Sequence, residues 1–229
     1  MGLSTTKPDR TICDWPKDVE EFLDSLQLDK VGLIGYSAGG PYALACCAFL
    51  PHRLNRVAVV SSVGPPNTPN ATRVMPAIYK LAWFLAAYWP SMLSRIIVSG
   101  AEKARLDPID FHRQDISLCP PYDREMMQRH DVEAMFCESI VELYGRHQEL
   151  EIAREFNAYG RDWGFNLEDL GCVRNIIRVW HGDKDQGSTL AMGEYIANQI
   201  KCNLVVHPDK GHMLYFEIFK DVVEWLNEM

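Results

Sequence analysis

The sequence lacks the features that would place it among nucleic-acid-binding, zinc-binding or disulfide-stabilised proteins. Its 229 residues carry a net charge of −8, and no run of Lys and Arg interleaved with aromatic residues occurs, which argues against nucleic-acid binding. Seven cysteines, an odd number without a C-x-x-C pair, predict reduced thiols rather than disulfides or a zinc site. There is no H-E-x-x-H spacing either, so no metal is expected.

Long apolar runs are also missing, both within the chain and at its N-terminus. The run Leu81–Trp89 is too short to span a bilayer, and lysine, proline and arginine interrupt its flanks. No apolar core of a signal peptide is visible, so we expect a cytoplasmic protein without a membrane span. Hydrophobic residues make up 47% of the composition, enough for one sizeable core or a core with an inserted subdomain.

The most informative motif is G-Y-S-A-G-G at Gly35–Gly40, because it presents a serine between a strand and a helix. The pattern predicts a strand over Lys30–Gly35 and a helix over Pro41–Leu50. G-x-S-x-G at such a junction is a nucleophile elbow, which exposes the Ser37 hydroxyl, while a helix N-cap is the alternative role for this serine. Glycines are expected beside it because a side chain would collide with the neighbouring strand or helix. The Ala38 N–H would then point at the developing oxyanion.

A serine nucleophile needs a base, and the base needs an orienting acid. Near the C-terminus, predicted strands over Asn175–Trp180 and Cys202–His207 are followed by the loops H-G-D-K-D and P-D-K-G-H. Loops that follow parallel strands meet at one edge of an open α/β sheet, where an elbow serine also projects. The sequence therefore predicts that a carboxylate and an imidazole from these loops lie near the serine.

Two acids and three histidines compete for these roles. Asp183 and Asp185 share one loop, and Asp183 has the alternative role of a solvated turn residue. His181 and His207 lie beside strand ends, where packing or turn formation is the simpler role. His212 follows a glycine and opens a helix, and the pattern alone leaves the choice among the three histidines open.

The motifs G-Y-S-A-G-G-P-Y-A-L-A, H-G-D-K-D and G-H-M together resemble those of the α/β-hydrolase superfamily, in the same order and at compatible spacing. The resemblance covers nearly the whole chain. It implies an α/β fold, in which a mostly parallel sheet is flanked by helices and a helical cap is inserted. It also implies Ser37 as the nucleophile and His212 as the base, and the Gly-x-x-Asp spacing of the family selects Asp185 as the acid.

The resemblance further implies that the chain is N-terminally truncated relative to the family. Gly2–Ser4 is similar to the end of a Gly-x-Ser loop after the fourth strand, and no His-Gly loop with a second oxyanion donor precedes Ser37. Loss of one such donor costs on the order of 10²–10³ in rate in a protease. The elbow strand is expected at an uncovered sheet edge, which predicts self-association.

Strand positions predict three segments: a first part of the hydrolase core over 1–65, a helical cap over 66–165, and a second part of the core over 166–229. A strand over Arg56–Val63 ends the first part. Roughly a hundred residues without convincing strand patterns follow, too many for an ordinary connection. They predict helices over about Met75–Trp89, Pro90–Gly100, Tyr122–His130 and Val132–Tyr159.

The cap segment is rich in aromatic and methionine side chains, which either form its own core or line a pocket for an apolar acyl group. Tyr36, Trp83 and Trp89 are the candidate substrate-binding residues. The predicted function is a serine hydrolase that acts on a small ester or other activated acyl substrate through an acyl-enzyme, without a cofactor. The alternatives are a catalytically impaired truncated isoform, a non-catalytic ligand- or partner-binding member of the same fold, and a lyase.

Overall fold

The computed structural model describes Lys7 and residues 10–228, and the chain divides into two compact units. One unit contains Arg10–Met75 and Arg161–Met229 and includes the β-sheet; the other contains Pro76–Gly160 and is helical. The sequence predicted a cap over 66–165, and its placement over a site stays a prediction. Among the helices of the described residues, none has both the length and the apolar character needed to cross a membrane.

Within the described residues, the sheet has four parallel strands whose spatial order equals their order in the chain. Apolar runs form these strands because helices cover a parallel sheet on both faces. The edge strands are the first and the fourth, and the predicted self-association through the first remains a prediction. The strands are β1 Val31–Tyr36, β2 Leu54–Val60, β3 Ile177–Gly182 and β4 Asn203–His207.

Helices account for most of the remaining described residues. The α-helices are α1 Trp15–Ser25, α2 Gly39–Phe49, α3 Ala77–Tyr88, α4 Pro90–Leu106, α5 Pro108–Ser117, α6 Pro121–Met127, α7 His130–Gly145, α8 Glu149–Tyr159, α9 Leu190–Ile200 and α10 Tyr215–Asn227. Short 3₁₀-helices lie at Ile12–Asp14, Pro51–Arg53, Leu167–Ile176 and His212–Leu214.

One core cluster of the sheet unit lies between the sheet and α10. Trp180 on β3 and Trp225 on α10 meet edge to face, with ring centroids 5.0 Å apart. Leu214, just before α10, is fully buried in the same cluster. Such aromatic and aliphatic burial contributes about 1.5–3 kcal/mol per large side chain. It fixes the start of α10, and with it the loop that carries His212.

The helical unit differs from the sequence prediction most clearly at two places; in addition, α4 extends to Leu106 instead of ending near Gly100. The pattern gave no helix over Pro108–Ser117, where α5 forms with Asp107 as a capping residue that accepts from the N–H of Asp110. The pattern also predicted one continuous helix where the structure has α7 and α8. The chain breaks at His147, whose φ of 55° lies in the left-handed region and cannot continue a right-handed helix.

Candidate active site

Ser37 lies in the sharp turn between β1 and α2, in a strained backbone conformation. Its φ of 52° is in the left-handed region, which residues other than glycine rarely adopt. The Ser37 N–H donates to the Val60 carbonyl at 3.0 Å, and the Ser37 carbonyl accepts from the N–H groups of Gly40 at 3.1 Å and Val63 at 3.3 Å. Because the end of β2 and the first turn of α2 supply these bonds, they hold the strain in place.

Two glycines leave room for this turn, and only one of them is a glycine of the G-x-S-x-G pattern. A Cβ on Gly35 would lie 2.7 Å from the Ala43 Cβ, and a Cβ on Gly40 would overlap the side chain of Ser62. Gly39 has open space where its Cβ would be. The prediction of a steric need is therefore confirmed for Gly35 and wrong for Gly39. The close contact occurs at Gly40, one residue after Gly39, because Gly40 is the residue that approaches the end of β2.

Ser37, His212 and Asp185 form one continuous hydrogen-bonded chain. Ser37 Oγ lies 2.9 Å from His212 Nε2, and His212 Nδ1 lies 2.9 Å from Asp185 Oδ2. A carboxylate only accepts hydrogen bonds, so in the neutral imidazole Nδ1 carries the proton. Nε2 is then free to accept from the serine hydroxyl. The structure thus brings together the three residues that the sequence singled out as nucleophile, base and acid.

The carboxylate of Asp185 is held in one orientation. Asp185 is 1% exposed, and its Oδ1 accepts from the backbone N–H groups of Gly187 at 2.8 Å and Ser188 at 2.9 Å. These two bonds leave Oδ2 for His212. A buried carboxylate with a fixed direction can select the tautomer of the imidazole and stabilise its protonated form.

The competing acid and base candidates have other partners. Asp183 Oδ1 accepts from the backbone N–H of Asp209 at 2.7 Å, which ties the loop after β3 to the loop after β4. His207 is the last residue of β4 and is half-buried, and this burial lowers its pKa. Asp183 thus braces a loop, and His207 packs at a strand end.

His181 is a second imidazole beside Asp185, for which the sequence indicated only packing or a turn. It is fully buried, and its Nε2 lies 2.5 Å from the Ser188 carbonyl and 3.5 Å from Asp185 Oδ2. The bond to a carbonyl requires a proton on Nε2. Burial lowers the pKa of His181, although the Asp185 carboxylate opposes this shift, so the ring stays neutral. His181 therefore anchors the loop that orients the acid.

Of the candidate substrate-binding residues, Tyr36 lies beside the hydrogen-bonded chain. Its hydroxyl donates to the His212 carbonyl at 3.1 Å, and its ring stacks on Tyr215 with centroids 4.9 Å apart. Tyr36 thus supports the backbone that carries His212. Trp83 lies on α3 and Trp89 directly follows it, in the helical unit. Contact of any of these three with a substrate stays a prediction.

The N–H of Ala38 is the oxyanion donor that the sequence suggests. Ala38 is the N-cap residue of α2, so this N–H has no acceptor within the helix, and the helix dipole adds partial positive charge. The upstream loop assigned to Gly2–Ser4 lies outside the described residues. Within residues 10–228 and Lys7, no group of three or more His, Cys, Asp or Glu side chains is placed to hold a metal ion.

Comparison with known proteins places this sequence in a family. The model of the alpha/beta hydrolase family matches residues 2–225. The 2-hydroxy-6-oxo-2,4-heptadienoate hydrolase of Pseudomonas putida is 33% identical over 76 residues, which cover 27% of this chain and only 28% of that relative.

Two solved structures share the fold. A meta-cleavage product hydrolase (CumD) from Pseudomonas fluorescens IP01 is 17% identical with a TM-score of 0.64, and the match covers 99% of this chain and 75% of that one. The enol-lactonase from Burkholderia xenovorans LB400 is 19% identical with a TM-score of 0.58, covering 98% of this chain and 76% of that one. Because the family model spans nearly the whole sequence, this chain belongs to the alpha/beta hydrolase family.

Proposed function

We propose that the protein is a serine hydrolase that cleaves an ester or another activated acyl compound. The observation that carries this proposal is the hydrogen-bonded chain from Ser37 through His212 to Asp185. All three residues follow the C-terminal ends of parallel strands, the edge at which open α/β sheets bind their ligands. Membership of the alpha/beta hydrolase family supports the same reaction class.

In the first half-reaction, Ser37 Oγ attacks the substrate carbonyl carbon while His212 Nε2 takes the hydroxyl proton. Their separation of 2.9 Å is within the range of direct proton transfer. The Asp185 carboxylate stabilises the imidazolium, which then gives its proton to the leaving alcohol. The products of this step are the free alcohol and an acyl ester on Ser37.

In the second half-reaction, His212 takes a proton from water, and the resulting nucleophile attacks the acyl ester. The bond to Ser37 Oγ breaks, His212 returns the proton to that oxygen, and the free acid leaves. The Ala38 N–H donates to the oxyanion of both tetrahedral intermediates. The reaction balances with one molecule of water.

A second candidate function is hydrolysis of a carbon–carbon bond in a keto acid. It rests on the local match to the curated relative, whose name gives 2-hydroxy-6-oxo-2,4-heptadienoate as its substrate, and on the likeness to CumD. A compound of that name contains a ketone and no ester, so its hydrolysis adds water across a carbon–carbon bond. The two candidates therefore differ in the bond that is cleaved.

Labelling with a fluorophosphonate probe tests whether Ser37 is an activated nucleophile. We expect the 229-residue chain to be labelled, and the variant Ser37→Ala not to be. Ser25→Ala is a matched control, because the exposed Ser25 hydroxyl on α1 donates to the Phe22 carbonyl of the same helix, and it should be labelled at the wild-type rate. Hydrolysis of p-nitrophenyl esters and of the keto dienoate, compared in parallel, then separates the two candidates.

An unlabelled but folded protein would contradict the proposal. Circular dichroism of the same samples establishes whether the chain is folded. A folded but unlabelled protein would favour the alternative that the chain binds a ligand or partner without catalysis. Equal labelling of the wild type and Ser37→Ala would place the reactive group elsewhere and would refute the assignment of the nucleophile.

A further inference from the structure

A basic cavity lies at the end of the sheet opposite to Ser37. Its volume is about 300 Å³, and it is formed where β2, β3 and β4 begin. Strand β3 has six residues, or ~20 Å at 3.3 Å per residue, between this end and the end that carries Asp185. The cavity is therefore a separate feature from the site described above. Its charged and aromatic lining consists of Arg56, Arg174, Arg178, Lys201, Trp225 and Glu228.

Positive charge in this cavity exceeds negative charge. Arg56 is paired with Glu228, with a guanidinium nitrogen 2.9 Å from a carboxylate oxygen. Arg174, Arg178 and Lys201 make no ion pair with a carboxylate of the described residues. Three cations without a carboxylate partner among the described residues thus line one cavity of a chain whose net charge is −8. Because like charges repel, this arrangement favours an anion in the cavity.

Trp225 holds two of the guanidinium groups. Arg178 lies 4.6 Å and Arg56 lies 5.0 Å from the centroid of the Trp225 ring, and Trp225 itself is buried. A guanidinium stacked on an aromatic face keeps its N–H donors directed outward in its own plane. Arg56 uses one of them on the Trp225 carbonyl, at 2.8 Å. The Arg178 donors have no acceptor among the described residues, so they are available to a ligand.

We propose that this cavity binds a small molecule that carries a diphosphate group. A guanidinium presents paired donors that match phosphate oxygens, and a lysine adds a point charge. One phosphate group brings a charge of about −1.5 to −2. The three positive charges exceed the charge of a single phosphate group and match better the charge of two linked phosphate groups. The volume of about 300 Å³ is at the lower end of the range for small-molecule sites, which fits a compact anion.

Titration calorimetry of the full chain with inorganic pyrophosphate, in phosphate-free buffer at low salt, tests the site. We expect saturable binding to one site with a Kd below about 1 mM. Orthophosphate and citrate should bind at least about tenfold more weakly, because neither offers two linked phosphate groups. No saturable binding of pyrophosphate, or citrate binding as tightly as pyrophosphate, would overturn the proposal.

Matched variants establish where the anion binds. Arg178→Gln should weaken pyrophosphate binding by about tenfold or more, the loss expected for a charge-assisted hydrogen bond. Lys201→Gln provides a second variant at an exposed residue outside the tryptophan packing, and it should weaken binding several-fold. Arg146→Gln removes the same charge just after α7 and should leave the Kd within about twofold.

Two results would refute the assigned location. One is an equal weakening of pyrophosphate binding by Arg178→Gln, Lys201→Gln and Arg146→Gln, which would mean a non-specific response to net charge. The other is unchanged binding in both Arg178→Gln and Lys201→Gln. The variant Ser37→Ala should bind pyrophosphate as the wild type does, because the two sites lie at opposite ends of the sheet. Failure of labelling at Ser37 and failure of anion binding are thus distinguishable.

Discussion

Replacement of Asp185 by asparagine should trap His212 in the wrong tautomer. Asp185 Oδ1 accepts two backbone N–H bonds, so the amide oxygen of asparagine must stay on that side. The NH₂ group then faces His212 Nδ1, which lies 2.9 Å from the present Oδ2. Because this group donates, Nδ1 must accept and the imidazole proton moves to Nε2. An Nε2–H donates to Ser37 Oγ and cannot take its proton.

The size of the effect follows from the two backbone bonds. Rotating the amide to restore the correct tautomer would set its NH₂ against the N–H groups of Gly187 and Ser188. Each buried donor left without an acceptor costs about 1–3 kcal/mol, so the rotated form is disfavoured by about 2–6 kcal/mol. At 1.36 kcal/mol per factor of ten, this leaves roughly one molecule in 30 to one in 3 × 10⁴ with a competent base.

The assay is the second-order rate constant for fluorophosphonate labelling of Ser37. Asp185→Asn should slow labelling by a factor of about 30 to 3 × 10⁴, in line with the loss in a serine protease whose acid is changed in the same way. Asp183→Asn is the matched control and should label within about threefold of the wild type. An amide oxygen can still accept the backbone N–H bond that Asp183 receives from Asp209, and the change otherwise removes only an ion pair with the exposed Lys184. Labelling of Asp185→Asn within tenfold of the wild type, or a larger loss in Asp183→Asn, would refute this reasoning.

Three further changes test the parts that support this arrangement. Gly40→Ala should lower the free energy of unfolding, measured in urea, by about 1–3 kcal/mol, because the added Cβ overpacks the turn. Gly39→Ala has open space at its Cβ and should not lower it. Equal losses in the two variants would contradict the crowding argument. Burial lowers the pKa of His181, so the unfolded chain binds a proton at this imidazole more readily than the folded chain does. The free energy of unfolding should therefore fall as the pH drops below 6.5. His181→Gln should flatten that fall, and an unchanged pH dependence of unfolding would count against a buried neutral ring. Tyr36→Phe removes the donor to the His212 carbonyl and should slow labelling by up to about tenfold, for a cost of about 0.5–1.5 kcal/mol; a wild-type rate would show that this bond does not position the base.

The residues of the hydrogen-bonded chain were predictable because each lies in a short contiguous motif after an apolar strand. The predicted strand Lys30–Gly35 and the observed β1, Val31–Tyr36, differ by one residue at each end. The strand before Asp185 was placed two residues early, and the structure has it at Ile177–Gly182. Buried parallel strands have continuous apolar sequences, so the sequence indicates that a strand is present but does not define the residues at which it begins and ends.

Other features depend on contacts that sequence patterns do not carry. The break between α7 and α8 has a glycine, Gly145, at the end of α7, but the left-handed residue is His147, which the pattern does not single out. The role of His181 depends on the carbonyl of Ser188, a backbone group that any residue would supply. The basic cavity collects Arg56, Arg178 and Lys201 from separate segments, so no basic run appears along the chain.

The most direct test of the proposed chemistry is to find the acyl group on Ser37. The full chain would be mixed with p-nitrophenyl acetate, quenched in acid at early times, digested and examined by peptide mass spectrometry. An acetyl group on the peptide that contains Ser37, absent from Ser37→Ala and from His212→Ala, is the predicted result. Release of p-nitrophenol without an acetyl group on Ser37, or with the group on another residue, would contradict the acyl-enzyme mechanism.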